Sequence, residues 1–425
     1  MTNELKNKIL NGEFNIELKR IYLSDEAVNQ QITRYTSLMD DFTDLYPNDT
    51  DIHFFTAPGR TEICGNHTDH NHGKVLAAGI NLDAVAAASK NESDIINIKS
   101  KNHQMNTVNI KELTPQKSEL GKSNALVRGV CDGFIKRGYK IGGFNAATVS
   151  DVLSGSGMSS SAAFEVLVGT ILNYLYNDGQ VPAEEIAKIA QYAENEFFGK
   201  PCGLMDQTAC AVGGFITIDF KDPENPVINK VPFDFGSCGH SLCIVDTGAD
   251  HADLTDAYAA VKGEMQAVAS CFDKDFLRDI DYKDFLDNVA SVRKLHGDRA
   301  VMRAMHFFED NLRVEKEVEA LQNNDFDTFK KCTIDSGNSS FMYNQNISTY
   351  SDLSVQPVAV ALAITESILK DRGAWRVHGG GFAGTIQAFV PDEMLSEYKT
   401  KIEKLLGEGS CYVLTIRPVG GSIVF

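Results

Sequence analysis

Residues 155–163 read Gly155-Ser156-Gly157-Met158-Ser159-Ser160-Ser161-Ala162-Ala163. The run follows a strand-like stretch at 144–152 and leads into 162–176, where apolar residues are dense enough for a largely buried helix. The order is strand, glycine turn, helix. A helix N-terminus carries unpaired N–H groups and the positive end of the helix dipole, and glycines let an anion approach the backbone, so the turn is suited to phosphate. A Ser-capped helix with a flexible entry would use the same residue types. Two familiar nucleotide loops are absent: there is no G-x-x-x-x-G-K-[ST], and no G-x-G-x-x-G between an early strand and a helix with an acid further on.

Working outward, residues 57–73 form a second polar segment: Ala57-Pro58-Gly59-Arg60-Thr61-Glu62-Ile63-Cys64-Gly65-Asn66-His67-Thr68-Asp69-His70-Asn71-His72-Gly73. It is read as a turn between strands at 53–57 and 74–88. Two chemistries fit it. His67, Asp69, His70 and His72 are zinc-ligand types, although their spacing matches no common zinc motif. Carboxylate, imidazole and amide groups also hydrogen-bond the hydroxyls of a polyol. A third segment, Gly203-Leu204-Met205-Asp206-Gln207, places an acid beside a glycine after a helix at 184–197. Taken alone, Asp206 reads as a cap or turn residue. Between strand-like runs lies a fourth, Ala374-Trp375-Arg376-Val377-His378-Gly379-Gly380-Gly381-Phe382-Ala383-Gly384, whose successive glycines permit close backbone approach.

The chain has 425 residues, enough for two or three domains or two large α/β ones. With 43% hydrophobic and 23% charged residues it reads as an ordinary globular protein. The 58 acidic and 40 basic side chains leave a net charge of −18, and no Lys/Arg-rich run offsets it, so nucleic acid and anionic lipid are disfavoured as partners. A phosphate ligand would need backbone N–H groups, a metal ion and a few placed cations. No segment approaches the roughly 20 apolar residues of a membrane span, and the N-terminus lacks a signal-peptide pattern, so a cytoplasmic protein is expected. Its nine Cys show no C-x-x-C spacing and read as buried thiols.

A helix at 25–45 precedes the break at Tyr46-Pro47-Asn48-Asp49. Strands are expected at 213–220 and 241–246, and helices at 254–270, 285–295 and 298–321. A boundary near 215–235 divides the chain into an N-terminal helical extension (1–50) and domains at 51–225 and 226–425, with a ligand cleft between the two.

In order and spacing, these segments resemble the signature motifs of the GHMP small-molecule kinases, and among them those of the galactokinases. A-P-G-R…G-x-H-T-D…G-x-V-L resembles the sugar motif, G-S-G-M-S-S-S-A-A the phosphate loop, P-C-G-L-M-D-Q the segment with the catalytic Asp, and G-G-G-F-x-G the third motif. The resemblance runs from about Phe54 to the C-terminus. It implies an α/β (α+β) GHMP kinase fold of two mixed domains around a cleft, with a sugar and ATP as substrates, Mg²⁺ as cofactor, and a monomer or weak homo-oligomer.

Carried over by residue, Asp206 would accept the proton of the sugar's anomeric hydroxyl, and Arg60 would pair with Asp206 and stabilise charge on the moving phosphoryl group. An Arg beside an Asp lowers its pKa, which makes Asp206 chiefly a positioning group and late proton acceptor; a loose phosphoryl-transfer transition state tolerates this. Gly155, Ser156, Gly157, Met158, Ser159, Ser160 and Ser161 would wrap the ATP phosphates, and Ser161 and Glu194 match the Mg²⁺ ligands. Asn66, His67, Asp69, Gly203 and Tyr258 match positions that hold the sugar.

The family loop usually reads G-R-V-N-L-I-G-E-H-T-D-Y. Thr61, Glu62, Cys64, Asn66 and His70 depart from it here. An amide at 66 in place of the family Glu, which holds the hydroxyl on the sugar's sixth carbon, opens the site to galacturonate beside galactose. Some galactokinase relatives are sugar and ATP sensors that transfer nothing, but the intact 159–163 run and Asp206 favour an enzyme. A zinc-binding regulatory protein is the remaining alternative.

Overall fold

The computed structural model describes residues 2–152, 157–248, 254–349 and 352–425. Its strands are β1 (His53–Cys64), β2 (Lys74–Lys90), β3 (Ile95–Ser100), β4 (Met105–Asn109), β5 (Phe144–Ser150), β6 (Phe215–Asp219), β7 (Val227–Val231), β8 (His240–Asp246), β9 (Ala374–His378), β10 (Thr385–Pro391), β11 (Cys411–Leu414) and β12 (Ser422–Ile423). One mixed sheet has the order β12-β1-β2-β5-β3-β4, with β6 and β7 continuing from β2. Its β3–β5 pair is parallel. A second, antiparallel sheet has the order β11-β8-β10-β9.

The alternation along β2 explains how the first sheet is covered. Ala86 and Ala88 face the core built with helices Ser123–Lys136 and Ser160–Tyr176. Val85 and Ala87 face the opposite way and are buried with Phe54 and Ala147 under the N-terminal helices, by Ile21, Tyr35, Leu38 and Phe42. Successive side chains of a strand point to opposite faces, so a strand apolar at every position needs cover on both. Residues from the first fifty supply the second cover. Helix Asp25–Leu45 starts at Ser24, whose hydroxyl accepts the Ala27 N–H at 3.1 Å.

The expected turn over 57–64 is strand instead. Beyond His53 every residue of β1 is buried, and a shift in register between Pro58 and Arg60 lets the proline, which has no N–H to donate, stay in the ladder. Only 65–73 is the turn. The expected strand at 213–220 narrows to Phe215–Asp219, and the expected helices at 285–295 and 298–321 become Tyr282–Asp287 and Val289–Gln322, the latter broken at Gly297 (φ 84°). The strand β7 extends the first sheet past residue 225 by pairing with β6.

In the second sheet Cys243 and Val245 face helices Pro357–Leu369 and Leu395–Leu406, whereas Leu242 and Ile244 join the large core of the first sheet. The chain end returns to the first sheet. Ser422 and Ile423 pair with Thr56 and Phe55, so the strand leading to Arg60 is gripped on both edges. All nine cysteines are free thiols. Among the described residues no helix is long and apolar enough to cross a membrane.

Candidate active site

Arg60 sits where β1 passes the helix Met205–Val212. Its guanidinium forms a fork with Asp206: Nε donates to Oδ1 and Nη2 to Oδ2, both at 2.7 Å. Two parallel charge-assisted bonds fix both side chains in one plane. Ser159 Oγ donates to Asp206 Oδ2, and Arg60 Nη1 to the Gly157 carbonyl. Asp206 lies at the second position of its helix and is 32% exposed. Burial raises the pKa of its carboxyl, but Arg60 and the Ser159 hydroxyl outweigh it and hold the group below its ordinary value.

Three segments close on this pair. The Arg60 N–H donates to the Met158 carbonyl at 3.2 Å, which brings the phosphate turn against β1. A Cβ on Gly59 would lie 3.0 Å from both that carbonyl oxygen and a Val152 methyl, so any larger residue would crowd the approach. Ser159 adopts a left-handed φ of 57°, an unusual state for serine that aims its hydroxyl at Asp206. From the second sheet comes His378, whose Nε2 meets Thr61 Oγ1 at 3.1 Å and whose Nδ1 meets Thr385 Oγ1 at 2.9 Å. Burial, then Arg60 and Arg376, push its pKa down to about 3, so it is a neutral imidazole.

The 65–73 turn is held by the helix Val289–Gln322. The Asn66 N–H donates to Asp310 Oδ2 at 3.2 Å, and the Asn66 carbonyl lies 2.8 Å from His306 Nε2. His306 and Asp310 stand one turn apart on Val289–Gln322, both 0% exposed. The Asn66 side chain is equally engaged: Nδ2 donates to Glu62 Oε1 at 3.0 Å and to the Gly379 carbonyl at 2.7 Å, while Oδ1 accepts from Asn346 at 2.7 Å. With only 1% exposure, its amide is directed into the protein interior. Glu62 is paired in turn with the buried Arg376 at 2.9 Å.

His67 follows with φ 59°, and its Nε2 lies 2.8 Å from the Gly380 carbonyl. Tyr258 donates to the Gly381 carbonyl at 2.8 Å, with its ring 6.4 Å from that of His67. A Cβ on Gly380 would come within 2.3 Å of the Tyr258 ring. The Asp69 carboxylate lies 3.0 Å from where a Gly203 Cβ would stand. Burial raises the Asp69 pKa and outweighs the opposing pull of His67, with Glu62 and Asp206 close enough to add to it. Asp69 thus lies close to His67, Gly203 and Asp206, and Tyr258 stands beside His67. The alternative zinc set does not assemble: among the described residues no group of three His, Cys, Asp or Glu side chains could hold a metal ion.

Beyond the fork, Ser161 Oγ donates to Glu194 Oε1 at 3.2 Å, and Gln207 bridges Glu194 (2.7 Å) and Glu165 (3.3 Å). Burial, then Glu194, raise the pKa of Glu165 well above its ordinary value. Glu165 Oε1 and Gln207 Oε1 are buried with no hydrogen-bond partner. Oxygen donors with unused lone pairs beside clustered carboxylates fit a hard divalent cation such as Mg²⁺, completed by water and phosphate oxygens. A cavity of about 440 Å³ adjoins Ser160 and Ser161, walled by Ala84, His103, Val152 and Phe164 among others. Met158 is buried under the turn. Gly155 and Ser156 lie outside the described residues.

The motif readings missed His306, Asp310 and Asn346. A signal existed for the first two, a His and an Asp four residues apart and so on one face of a helix, but their target is far away in sequence.

Residues 125–214 match the family model described as GHMP kinases N terminal domain, and residues 40–90 match the galactokinase galactose-binding signature. The class that fold and site define is thus the GHMP small-molecule kinases. A galactokinase from Glaesserella parasuis serovar 5 is 30% identical over 362 residues, covering 83% of this chain and 88% of that protein. One from Streptomyces coelicolor is 29% identical, covering 79% of this chain and 84% of its own. The chain belongs to the galactokinase family. Its fold is shared with the crystal structure of Lactococcus lactis galactokinase complexed with galactose, at a TM-score of 0.76 and 23% identity over 91% of this chain and 99% of that one. A crystal structure of mevalonate kinase superposes with a TM-score of 0.61 at 15% identity, covering 86% of this chain and 99% of that one.

Proposed function

We propose that the protein transfers the γ-phosphoryl group of ATP to the anomeric hydroxyl of D-galactose, giving galactose 1-phosphate and ADP. The observation that carries this reading is the Arg60–Asp206 fork, set between a hydroxyl-rich turn and a polar pocket. Galactokinase relatives at about 30% identity over most of the chain support the substrate.

In this reading the sugar lies against His67, Asp69, Gly203 and Tyr258, with Asn66 shaping the pocket from behind through its bonds to Glu62 and Gly379. The anomeric hydroxyl donates to Asp206. A carboxylate held below its ordinary pKa is a weak base, so Asp206 orients the hydroxyl and takes its proton late, after the bond to phosphorus has begun to form. Arg60, fixed in its fork, presents positive charge to the phosphoryl oxygens. The phosphates lie on the backbone of 155–161, including Gly157, Met158, Ser159, Ser160 and Ser161, with the rest of the nucleotide in the adjoining cavity. Ser161 and Glu194 would hold Mg²⁺, which when bound supplies charge neutralisation between the phosphate oxygens.

Two mixed domains meet at this cleft, the first bearing the sugar and phosphate segments. Monomeric or weakly associated protein in the cytoplasm, where thiols stay reduced, completes the reading.

The test is ADP release with Mg²⁺ in a coupled assay against galactose, galacturonate, N-acetylgalactosamine, arabinose and glucose, with Asp206→Asn as blank. Galactose-dependent turnover lost in the variant is expected. Preference for galacturonate would move the substrate, and binding of galactose and ATP without turnover would replace the enzyme by a sensor.

A further inference from the structure

The N-terminal helices do more than cover one face of the first sheet. Arg34, on helix Asp25–Leu45, reaches down to the place where β5 ends alongside the middle of β2. Its Nη1 donates to Asp83 Oδ1 at 2.5 Å and lies 3.1 Å from Asp151 Oδ2. Its Nη2 donates to the Asp83 carbonyl at 2.8 Å and to the Val149 carbonyl at 3.4 Å. One guanidinium therefore grips the middle of β2 and the end of β5, together with Asp151 just beyond it. The Asp151 N–H closes the same junction by donating to the Asp83 carbonyl at 3.0 Å.

Asp83 is a fixed anchor. Fully buried, it also accepts from Tyr22 (2.7 Å), Thr56 (2.5 Å) and Arg417 (2.6 Å). Asp151 is different: it is 48% exposed, and the chain beyond it carries Val152, whose methyl packs against Gly59 next to Arg60. Ala84, Val149, Ser150 and Val152, all at this junction, line the cavity beside Ser160 and Ser161. A planar fork with several fixed donors holds two backbones in one register, which a flexible ammonium cannot.

We propose that Arg34 is a positioning residue for the nucleotide side of the site, setting the register of β2 against the end of β5 at the wall of the cavity beside Ser160 and Ser161. It lies outside both matched segments, 40–90 and 125–214. The proposal rests on the reading of the phosphate turn and that cavity as the nucleotide site. It makes the N-terminal helices part of nucleotide binding while leaving the sugar pocket untouched, because the sugar turn is held by His306 and Asp310 from helix Val289–Gln322.

The test uses the full chain and three proteins: wild type, Arg34→Lys and Asp151→Ala. Binding of N-methylanthraniloyl-ADP is followed by fluorescence, KM is measured for ATP and for galactose, and thermal unfolding is recorded. Arg34→Lys is expected to weaken nucleotide binding and raise KM for ATP about tenfold, through loss of several charge-assisted bonds, with KM for galactose unchanged. Asp151→Ala, which leaves the buried Asp83 network intact, should raise KM for ATP roughly threefold with little change in Tm. It carries the test if Arg34→Lys fails to fold.

Nucleotide affinity equal to wild type in folded variants, with only Tm lowered, would overturn the proposal and leave Arg34 as an anchor for the helices. Wild-type protein that does not bind the probe would instead overturn the nucleotide reading itself.

Discussion

The two sides of the cleft are built on different principles. On the sugar side, the 65–73 turn is held by residues distant in sequence: His306 and Asp310 clamp the backbone of Asn66, while Asn346 and the Gly379 and Gly380 carbonyls take up the side chains of Asn66 and His67. On the nucleotide side, residues 157–161 bond to Arg60, Asp206 and Glu194, all before residue 210. A buried polar network whose side chains and carbonyls bond one another is costly to rearrange. Backbone N–H groups and glycines accept an anion by close approach and ask less of side-chain chemistry. Specificity for a polyol and affinity for a phosphate thus call for different construction.

The Arg60–Asp206 fork joins the two sides, and the largest effect is expected there. Asp206→Asn keeps the shape but removes the proton acceptor and one charge of the fork, and should lower kcat by about 10²–10⁴-fold in the ADP-release assay. Affinity for galactose, followed by calorimetry, should change far less.

Arg60→Met should lower kcat by about 10²-fold or more. It should also move the acid limb of the pH–rate profile. Asp206 works ionised, and Arg60 keeps its pKa below the usual value, so the wild-type limb lies at low pH. Without the cation burial is opposed only by the Ser159 hydroxyl and the more distant Lys200, so the pKa rises and activity should fail at higher pH than in wild type. A limb that stays in place would mean that Asp206 is not the titrating group.

On the sugar side alone, Asn66→Glu removes two donors and sets a second carboxylate against Glu62 and the Gly379 carbonyl. A loss of about 2–4 kcal/mol in urea unfolding is expected. Equal stability in the single variant would show that Asn66 is not wired as described.

The smallest effect is expected for Tyr258→Phe, which removes one hydroxyl bond to Gly381. KM for galactose should rise by roughly fivefold, the equivalent of about 1 kcal/mol, with KM for ATP unchanged. An equal rise in both would blur the separation of the two sides.

Much of this arrangement is legible from residue order. Gly155 to Ala163 before a dense apolar run announces a turn feeding a buried helix, and helix Ser160–Tyr176 follows. The segment at 57–64 misleads, because Pro58, Gly59 and Arg60 are turn and surface residues by type; burial on both faces and a bulge in the ladder keep them in β1. Asn66 misleads in another way. By type it is a free hydrogen-bonding group, yet Glu62, Gly379 and Asn346 consume its capacity.

The sequence by itself determined the local units: periodicity, caps and glycine turns depend on neighbours within a few residues, and the motif order carries the family. Only the tertiary structure decided which distant groups meet. The pairing of Arg60 with Asp206, the clamp of His306 and Asp310 on Asn66 and the reach of Arg34 to Asp83 and Asp151 span long stretches of chain. Such contacts arise when both faces of a sheet are covered and the chain end returns to it, and no local pattern encodes the partner that a buried polar group finds.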